Sequence, residues 1–467
     1  MFTKREINLS KVMVAVQVLI TLLIFFQTEL IYFENKFDTR ENIYFMIQII
    51  VIWSLSLSKF RLGIVFRAIP LAKRFRGYLV TVLFGCILFY TQIEFLPFIL
   101  DTDHLQKFII VFGLVDLVAL VIFKAVFYYS MLFLRRSGYN TRHLIIVADT
   151  TSIKFINYFI RSKDWGYKIE AILSPDPEFE FKHEGISVIK NVDNLKTFIT
   201  KNTVDDIFYC LPIEDTRCDL QQLIVDAEEI GVTLHIMQQS YLESLIRGKK
   251  IKNGLNNNCL THSKIPTNYM MLKLKDVFDL LFSIMVLTAV TPLILLIAFE
   301  IWLEDGGPVF FKQERVGMNG RLFNLYKFRT MVVNAEAMIP ELLNRNEMDG
   351  PVFKIGNDPR ITHVGRFLRK TSLDELPQFY NVIKGEMSVV GPRPPLLREV
   401  VQYERSQLRR LSLKPGITCI WQVSGRNSIS FSEWIQLDLK YIDSWSMLLD
   451  FKIMLKTVGV IFKATGH

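Results

Sequence analysis

The stretch VFDLLFSIMVLTAVTPLILLIAFEIWL (277–303) is long enough to reach across about 30 Å of hydrocarbon, and it decides how the rest of the chain is arranged. Its flanks are basic on both sides, which is the sign of the cytoplasmic face of a membrane. Pro292, near its middle, removes one backbone hydrogen bond from a helix. The pattern therefore favours a re-entrant helix at about 276–303, which leaves the membrane on the side it entered, over a fifth crossing. The flanking basic residues are Lys273, Lys275, Lys312, Arg315, Arg321, Lys327 and Arg329.

Thr291 directly precedes this proline. Its hydroxyl can donate a hydrogen bond to a backbone carbonyl that the proline leaves free, which lowers the cost of an unsatisfied polar group in lipid. We therefore predict that Thr291 and Pro292 form the break in the membrane helix. A break at this point would hold the following domain at the depth of the lipid headgroups.

Four further apolar stretches precede this one, and each is close to membrane length. The loop between the second and the third (59–76) carries six basic residues and no acidic residue, so it is expected on the cytoplasmic side. Residues 1–135 are therefore predicted to form a four-helix transmembrane domain with both ends in the cytoplasm. The stretches lie at about 12–32, 43–58, 78–100 and 108–134.

Two ionisable residues, Asp116 and Lys124, lie within the fourth stretch and near one helical face. A transporter would use such groups in a polar pathway. Pairing within the bundle, or placement at an interface, is the favoured interpretation, because the spans otherwise carry few ionisable groups.

Residues 136–250 alternate short β-type runs, such as HLIIVA (143–148) and DIFYCL (206–211), with helical stretches. This alternation predicts a Rossmann-like α/β domain with a parallel sheet. The first strand is followed by ADTTS (148–152), which has no glycine to let a backbone approach a pyrophosphate. We therefore predict a degenerate domain with a structural or regulatory task. The polar, Asn-rich residues 251–272 are expected to be a linker.

The last third of the chain holds two adjacent carboxylates, Asp374 and Glu375, within SLDELPQFYNVIKGEMSVVGPRPP (372–395). Two carboxylates among arginines suit phosphoryl transfer, in which one attacks phosphorus and the other holds Mg²⁺. Arginine supplies forked donors to the remaining phosphate oxygens. The alternative is an ordinary helix N-terminus, with Ser372 as its cap and Glu375 in the capping-box position.

Several motifs occur in a fixed order along residues 273–467. Together they are similar to those of the bacterial sugar transferases called polyprenyl-phosphate hexose-1-phosphate transferases, the monotopic phosphoglycosyl transferases. The spans and the α/β domain in front of them resemble the long form of that family, such as the undecaprenyl-phosphate glucose phosphotransferases. The motifs are LKDVFD (274–279), FFKQERVG (310–317), YKFRTM (326–331), SLDELPQFYNVIKGEMSVVGPRP (372–394), KPGIT (414–418) and WQVSGRN (421–427).

The resemblance implies transfer of a hexose-1-phosphate from a UDP-sugar to undecaprenyl phosphate at the cytoplasmic face of the bacterial inner membrane, with release of UMP. Such a reaction would initiate exopolysaccharide or capsule repeat units. Glucose is the expected hexose and galactose the alternative. By the same resemblance Asp374 is the nucleophile that forms a covalent phosphosugar, and Glu375 holds the cofactor Mg²⁺ with Asp374 beside it. The residues expected to bind phosphate are Lys327, Arg369, Arg393 and Arg360.

The predicted fold is thus a membrane α-helical bundle of four spans, a Rossmann-like α/β domain, and a mainly α-helical catalytic domain (273–467) anchored by a re-entrant membrane helix. The chain has 55 basic and 46 acidic residues, a net charge of +9. Basic cytoplasmic loops and a phosphate site account for this excess without nucleic acid. The five cysteines form no CxxC pair and no GxxxxGKS/T pattern occurs, which excludes a zinc cluster and P-loop chemistry.

Two alternatives from other classes stay open, a flippase for polyprenyl-linked glycans and a nucleotide-sensing membrane scaffold. The expected partners are UDP-hexose, undecaprenyl phosphate and membrane lipids. A homodimer is not distinguished from a monomer by the sequence.

Overall fold

The computed structural model divides the chain into two compact units, one made essentially of the first 141 residues and the other of most of the remainder. The described residues are 2–33, 39–63, 71–95, 102–137, 141–161, 166–183, 185–190, 195–237, 259–263, 269–335, 337–338, 355, 358–424 and 430–462.

The first unit is a bundle of four helices, in which α1 packs against α2 and α4, and α3 packs against α2 and α4. Aromatic side chains fill its centre, where Phe25, Trp53, Phe89 and Phe112 are almost completely buried. The predicted four-helix arrangement is therefore confirmed. The helices are α1 (Phe2–Phe33), α2 (Thr39–Lys59), α3 (Leu71–Phe95) and α4 (Thr102–Arg136).

Four described segments are long and apolar enough to cross a membrane: Ser10–Ile31, Asn42–Lys59, Gln106–Arg135 and Met270–Asp305. The first three coincide with predicted spans. The remaining predicted span, 78–100, falls on α3, which is not one of these four segments, and its residues 96–100 lie outside the described part of the chain. That α3 crosses the membrane therefore stays a prediction. The apolar helices indicate a membrane-associated protein.

The two ionisable residues of α4 are held inside the bundle, as the favoured interpretation expects. The Asp116 carboxylate accepts hydrogen bonds from the Thr21 hydroxyl at 2.7 Å and from the Trp53 indole at 2.9 Å. The Lys124 ammonium donates to the Leu62 carbonyl at 2.8 Å. Both side chains therefore have polar partners within the bundle, as groups that stabilise the packing of the helices would.

The α/β domain of the second unit has a six-stranded sheet in the order β3-β2-β1-β4-β5-β6. The pairs β1–β4, β2–β3 and β4–β5 are parallel, which confirms the predicted α/β class. The strands are β1 (Arg142–Val147), β2 (Tyr167–Leu173), β3 (Ser187–Ile189), β4 (Asp206–Tyr209), β5 (Thr233–Met237) and β6 (Cys259–His262). The helices are α5 (Ile153–Arg161), α6 (Leu195–Lys201) and α7 (Leu220–Ile230).

The predicted linker at 251–272 requires a correction, because it contains a strand and overlaps the next helix. Its residues Cys259–His262 form β6, which pairs antiparallel with β5, and the next helix already begins at Tyr269. A four-residue edge strand is held mainly by backbone hydrogen bonds to its neighbour, so its side chains give little indication in the sequence that a strand is present.

The catalytic domain combines helices with two small β units, an antiparallel hairpin of β7 (Phe310–Val316) and β8 (Leu322–Phe328) and a parallel pair of β9 (Ser388–Val390) and β10 (Gly416–Thr418). Its helices are α8 (Tyr269–Asp305), α9 (His363–Thr371), α10 (Gln378–Ile383), α11 (Leu397–Val400), α12 (Ile420–Ser424), α13 (Phe431–Asp443) and α14 (Met447–Phe462). The 3₁₀ turns are Met318–Gly320, Leu373–Glu375 and Arg405–Ser412.

Helix α8 is continuous over 37 residues and contains Pro292. The Thr291 hydroxyl donates to the Leu287 carbonyl at 2.7 Å. The carbonyl that a proline at position 292 cannot bond is that of Thr288, four residues earlier, so the expected partner of this hydroxyl was wrong by one residue. The course of α8 relative to a membrane stays a prediction.

Both ends of α8 contact the same domain. Near its beginning, Lys275 pairs with Asp450 at 2.7 Å, and the Ser388 hydroxyl donates to Asp279 at 2.6 Å. Near its end, the Glu304 carboxylate accepts from the backbone N–H of His363 at 2.7 Å. The middle of the helix instead exposes large apolar side chains, among them Met285, Leu293, Leu295, Leu296 and Phe299.

Candidate active site

The acidic pair lies on the short 3₁₀ turn Leu373–Glu375, between α9 and α10. Ser372 ends α9 in a left-handed conformation (φ 58°), and its backbone N–H donates to the last carbonyls of that helix. Its side chain does not cap the acidic turn, so the capping-box alternative is wrong. Asp374 is buried, and Glu375 is half-buried beside it. The turn thus presents two carboxylates with different access to solvent.

Lys327 brings a positive charge to both carboxylates. Its ammonium lies 2.8 Å from Oε1 of Glu375 and 3.7 Å from Oδ2 of Asp374. The residue stands on β8 directly before Phe328, whose side chain is 1% exposed and fills the core. Because successive residues of a strand point to opposite faces, burial of Phe328 directs Lys327 towards the acidic turn. The structure therefore brings together three of the predicted site residues.

Arg369, in the last turn of α9, is close enough to act electrostatically on Asp374. Its Nε donates to the hydroxyl of Thr330 at 2.9 Å, which holds the guanidinium in one orientation. Burial raises the pKa of Asp374, the charge of Lys327 opposes that rise, and Glu375 adds to it. The site therefore keeps one carboxylate poorly solvated next to two cations, which suits a nucleophile.

The other two predicted cations have different surroundings. Arg360 forms two hydrogen bonds with the Asp358 carboxylate, at 2.9 and 2.6 Å, and is buried. The guanidinium carbon of Arg393 lies 5.0 Å from the centre of the Trp434 ring. Within the described part of the chain, Arg393 has no hydrogen bond or ion pair, so its donors are unused. Direct contact of either residue with the acidic pair is not seen among the described residues.

Two residues next to the predicted phosphate-binding arginines were missed by reasoning from the sequence. Thr330 orients Arg369, and Arg315 donates from Nη1 to the Pro394 carbonyl at 3.1 Å, beside Arg393. Burial lowers the pKa of Arg315 to about 10, and the charge of Arg393 adds to this effect. Both residues lie inside motifs that were recognised, so their motif membership was the signal that could have identified them.

The acidic pair fits a divalent cation. Carboxylate oxygens of Asp374 and Glu375 converge on one ammonium group, so they can converge on one metal ion. A group of three or more His, Cys, Asp or Glu side chains that could hold a metal ion does not occur among the described residues. Mg²⁺ is commonly held by one or two carboxylates and completed by water and substrate phosphates, which matches this donor set.

Comparison with known proteins places these residues in a family. The sequence profile of the bacterial sugar transferases matches residues 270–464. The galactosyl transferase CpsE of Streptococcus agalactiae is 40% identical over 69% of this chain and 72% of its own length. This chain belongs to the bacterial sugar transferase family.

Two further relatives of this sugar transferase carry explicit names. The undecaprenyl-phosphate galactose phosphotransferase of Salmonella typhimurium is 44% identical over 41% of each chain. The UDP-glucose:undecaprenyl-phosphate glucose-1-phosphate transferase of Klebsiella pneumoniae is 30% identical over 70% of this chain and 69% of its own length. The long alignments with the streptococcal and Klebsiella proteins extend the similarity beyond the catalytic domain.

The profile of a CoA-binding domain also matches this sugar transferase, at residues 68–236. The expected phosphate position, after β1, is filled by the Asp149 carboxylate. That carboxylate accepts hydrogen bonds from the backbone N–H of Thr151 at 3.0 Å and from its hydroxyl at 2.6 Å, and Arg217 approaches it from outside. An anion would meet a negative charge there, so the residues present do not fit a coenzyme phosphate.

Proposed function

We propose that this sugar transferase moves a hexose-1-phosphate from a UDP-hexose to undecaprenyl phosphate, releases UMP, and thereby starts the repeat unit of an exopolysaccharide or capsule. The observation that carries the proposal is the pair Asp374 and Glu375, gathered under Lys327 in the domain that also holds both ends of a membrane-length helix. The names of the relatives support the same reaction class.

The first step proposed is attack of an Asp374 carboxylate oxygen on the β-phosphorus of the UDP-hexose. The bond between that phosphorus and the bridging oxygen breaks, and UMP leaves with the electron pair. An oxygen of undecaprenyl phosphate then attacks the same phosphorus, the bond to Asp374 breaks, and the carboxylate is restored. The lipid product is undecaprenyl diphosphate-hexose.

The residues around Asp374 are suited to this transfer of a phosphosugar. Lys327 and Arg369 lie beside Asp374, so they can balance the charge that builds up on the phosphate oxygens. Arg393 has unused donors that can bind the leaving phosphate. Asp374 and Glu375 would hold Mg²⁺, which when bound neutralises phosphate oxygens.

The order of the two candidate sugars changes in the light of the relatives. The resemblance to the family predicted glucose first, but the relatives named for galactose are 40% and 44% identical, against 30% for the relative named for glucose. We therefore propose UDP-galactose as the first donor to test and UDP-glucose as the second.

A donor panel tests the proposed function. Purified full-length protein with undecaprenyl phosphate and Mg²⁺ should release UMP from UDP-galactose or UDP-glucose, measured by coupled UMP detection, and the lipid should gain the mass of a hexose phosphate. Omission of the lipid is the control, since only one turnover per enzyme should then occur. Release of UDP instead of UMP, or no release from any UDP-hexose, would contradict the proposal.

We further propose that the protein lies in the bacterial inner membrane with its catalytic domain in the cytoplasm, and that α8 is re-entrant. Contacts from both ends of α8 to one domain support this topology, because a crossing helix would place one end on the far side. The exposed apolar side chains in its middle suit burial in lipid.

Cysteine labelling in intact cells tests this topology. Met270→Cys and Gly306→Cys, at the two ends of α8, should both resist a membrane-impermeant maleimide until the cells are opened. Lys36→Cys, between α1 and α2, is predicted to face outward and serves as the control that reacts from outside. Labelling of either α8 end in intact cells, mapped by mass spectrometry, would show that the helix crosses the membrane.

A further inference from the structure

The α/β domain shares a hydrophobic core with the catalytic domain. Strand residues such as Ile145 and Leu234 pack in one buried cluster with catalytic-domain residues Val316, Tyr403 and Leu408. Ile145 and Leu234 are completely buried, and the other three side chains are at most 2% exposed. Removing either domain would expose apolar surface of the other, so the two are built as one body.

One acidic residue of the α/β domain receives the tip of the catalytic hairpin. Asp205, directly before β4, accepts from the Arg321 guanidinium at 2.8 and 2.6 Å and from the Asn319 amide at 2.5 Å. The backbone N–H of His143 also donates to it, at 2.8 Å. Although burial raises the pKa of Asp205, the hydrogen bonds from Arg321 hold it below its ordinary value. The pair is therefore a charge-assisted, forked contact between two domains.

The hairpin tip, residues 317–321, is shaped for this contact. Asn319 adopts a left-handed backbone (φ 56°), and Gly320 follows with φ 84°. A side chain on Gly320 would meet the Asn202 carbonyl at 3.3 Å, so the glycine lets the tip approach the α/β domain closely. The conformation of the tip is thus matched to its position against the α/β domain.

The same hairpin reaches from this contact to the acidic pair. Strand β8 begins next to Arg321, and Lys327 lies six residues further along it, a span of about 20 Å in an extended strand. Lys327 contacts both Glu375 and Asp374. A shift of the hairpin tip would therefore be carried along the strand to the ammonium group beside the proposed nucleophile.

The contact uses the end of the sheet opposite to the usual ligand edge. Asp205 precedes β4, whereas Asp149 follows the parallel neighbour β1 and fills the phosphate position there. The domain therefore has a carboxylate at the usual phosphate position and a docking carboxylate at its other edge.

We propose that the α/β domain is a positioning element for catalysis, in which Asp205 holds the tip of the β7–β8 hairpin so that Lys327 stays against Asp374 and Glu375. The proposal rests on the proposed function, because it assigns Lys327 a task in phosphosugar transfer. Asp205 and Arg321 act through Lys327 and touch no substrate.

The test compares Asp205→Asn and Arg321→Gln with Asp226→Asn in the full-length protein. Asp226 forms another ion pair between the α/β domain and the catalytic domain, with Arg405 at 2.7 Å. Arg405 is not part of the hairpin, so this variant controls for general loosening between the domains. We expect kcat for UMP release to fall about tenfold in both hairpin variants, with little change in KM, because the reacting groups are misplaced while substrate contacts remain. Asp226→Asn should change kcat less than about twofold.

Two further measurements keep the test decisive. Amide hydrogen exchange over residues 310–328 should rise in Asp205→Asn and Arg321→Gln and stay unchanged in Asp226→Asn. The double variant should lose no more activity than either single variant, because both remove one contact. Arg321→Lys, which keeps the charge, should recover part of the lost kcat.

The outcomes separate this proposal from the proposed function. Faster exchange in the hairpin with an unchanged kcat would overturn the positioning role, and so would an equal loss of kcat in Asp226→Asn. Unchanged exchange would show that Asp205 does not hold the hairpin. A wild-type protein that releases no UMP from any UDP-hexose would instead contradict the proposed function, and this is seen before any variant is compared.

Discussion

Asp374→Asn should lower the rate of UMP release by at least about a thousandfold, because it replaces the attacking carboxylate by an amide that is a poor nucleophile. The structure supports a severe effect, since Asp374 is buried between Lys327 and Arg369, and the other carboxylate within reach is already engaged by Lys327. A water molecule or Glu375 would have to reach the same phosphorus to replace it. We therefore expect no trapped adduct in this variant.

Two measurements check this result. Initial rates of UMP release with UDP-galactose and UDP-glucose report turnover, and intact-protein mass spectrometry in the absence of lipid acceptor reports the phosphosugar adduct. Asp443→Asn is the matched control, because its carboxylate is half-exposed and pairs with Arg409 away from the acidic turn. Substantial turnover by Asp374→Asn, with a normal fold, would reject Asp374 as the nucleophile.

Glu375→Gln should raise the Mg²⁺ concentration needed for half-maximal UMP release about tenfold or more. Loss of an outer-shell partner already lowers metal affinity by this factor, and loss of a direct ligand should lower it at least as much. The half-buried carboxylate of Glu375 and that of Asp374 converge on one ammonium group, which is the arrangement that a divalent cation would use. The variant should therefore be slow at low Mg²⁺ and should recover part of its rate as Mg²⁺ is raised.

The measurement is the rate of UMP release across a Mg²⁺ titration. Glu314→Gln is the matched control, because Glu314 is exposed on the hairpin. Glu375 could bind Mg²⁺ or could hold Lys327 in place. Lys327→Met separates these two tasks, because it removes the ion pair at 2.8 Å but leaves both carboxylates. If Glu375→Gln and wild type responded identically to Mg²⁺, the carboxylate would serve only to hold Lys327.

Much of the architecture could be predicted because it depends on local patterns. The apolar lengths of α1, α2 and α4 and the alternation of strands and helices after residue 136 are periodic features that short windows of sequence contain. The four-residue strand β6 could not be predicted, because its pairing with β5 is made by backbone groups. The partner of the Thr291 hydroxyl, the Leu287 carbonyl, could not be predicted either, because it depends on the course of the helix through Pro292.

The site was predictable only in part. The motifs identified Asp374, Glu375, Lys327 and Arg369 as candidates, and the structure brings these four together. The same reasoning placed Arg360 in the phosphate site, whereas the structure shows it buried against Asp358. Whether Arg360 also contacts substrate, the identity of the cofactor, and a homodimer stay predictions.

By itself the sequence determined the class of the chain, because membrane-length helices, a parallel α/β alternation and an ordered set of motifs are written in neighbouring residues. Only the tertiary structure decided which groups meet. Lys327 and Glu375 are 48 residues apart, and Asp205 and Arg321 are 116 apart. Their contacts depend on the register of one hairpin and on the packing of two domains around a shared core, which are long-range properties that residue patterns do not contain.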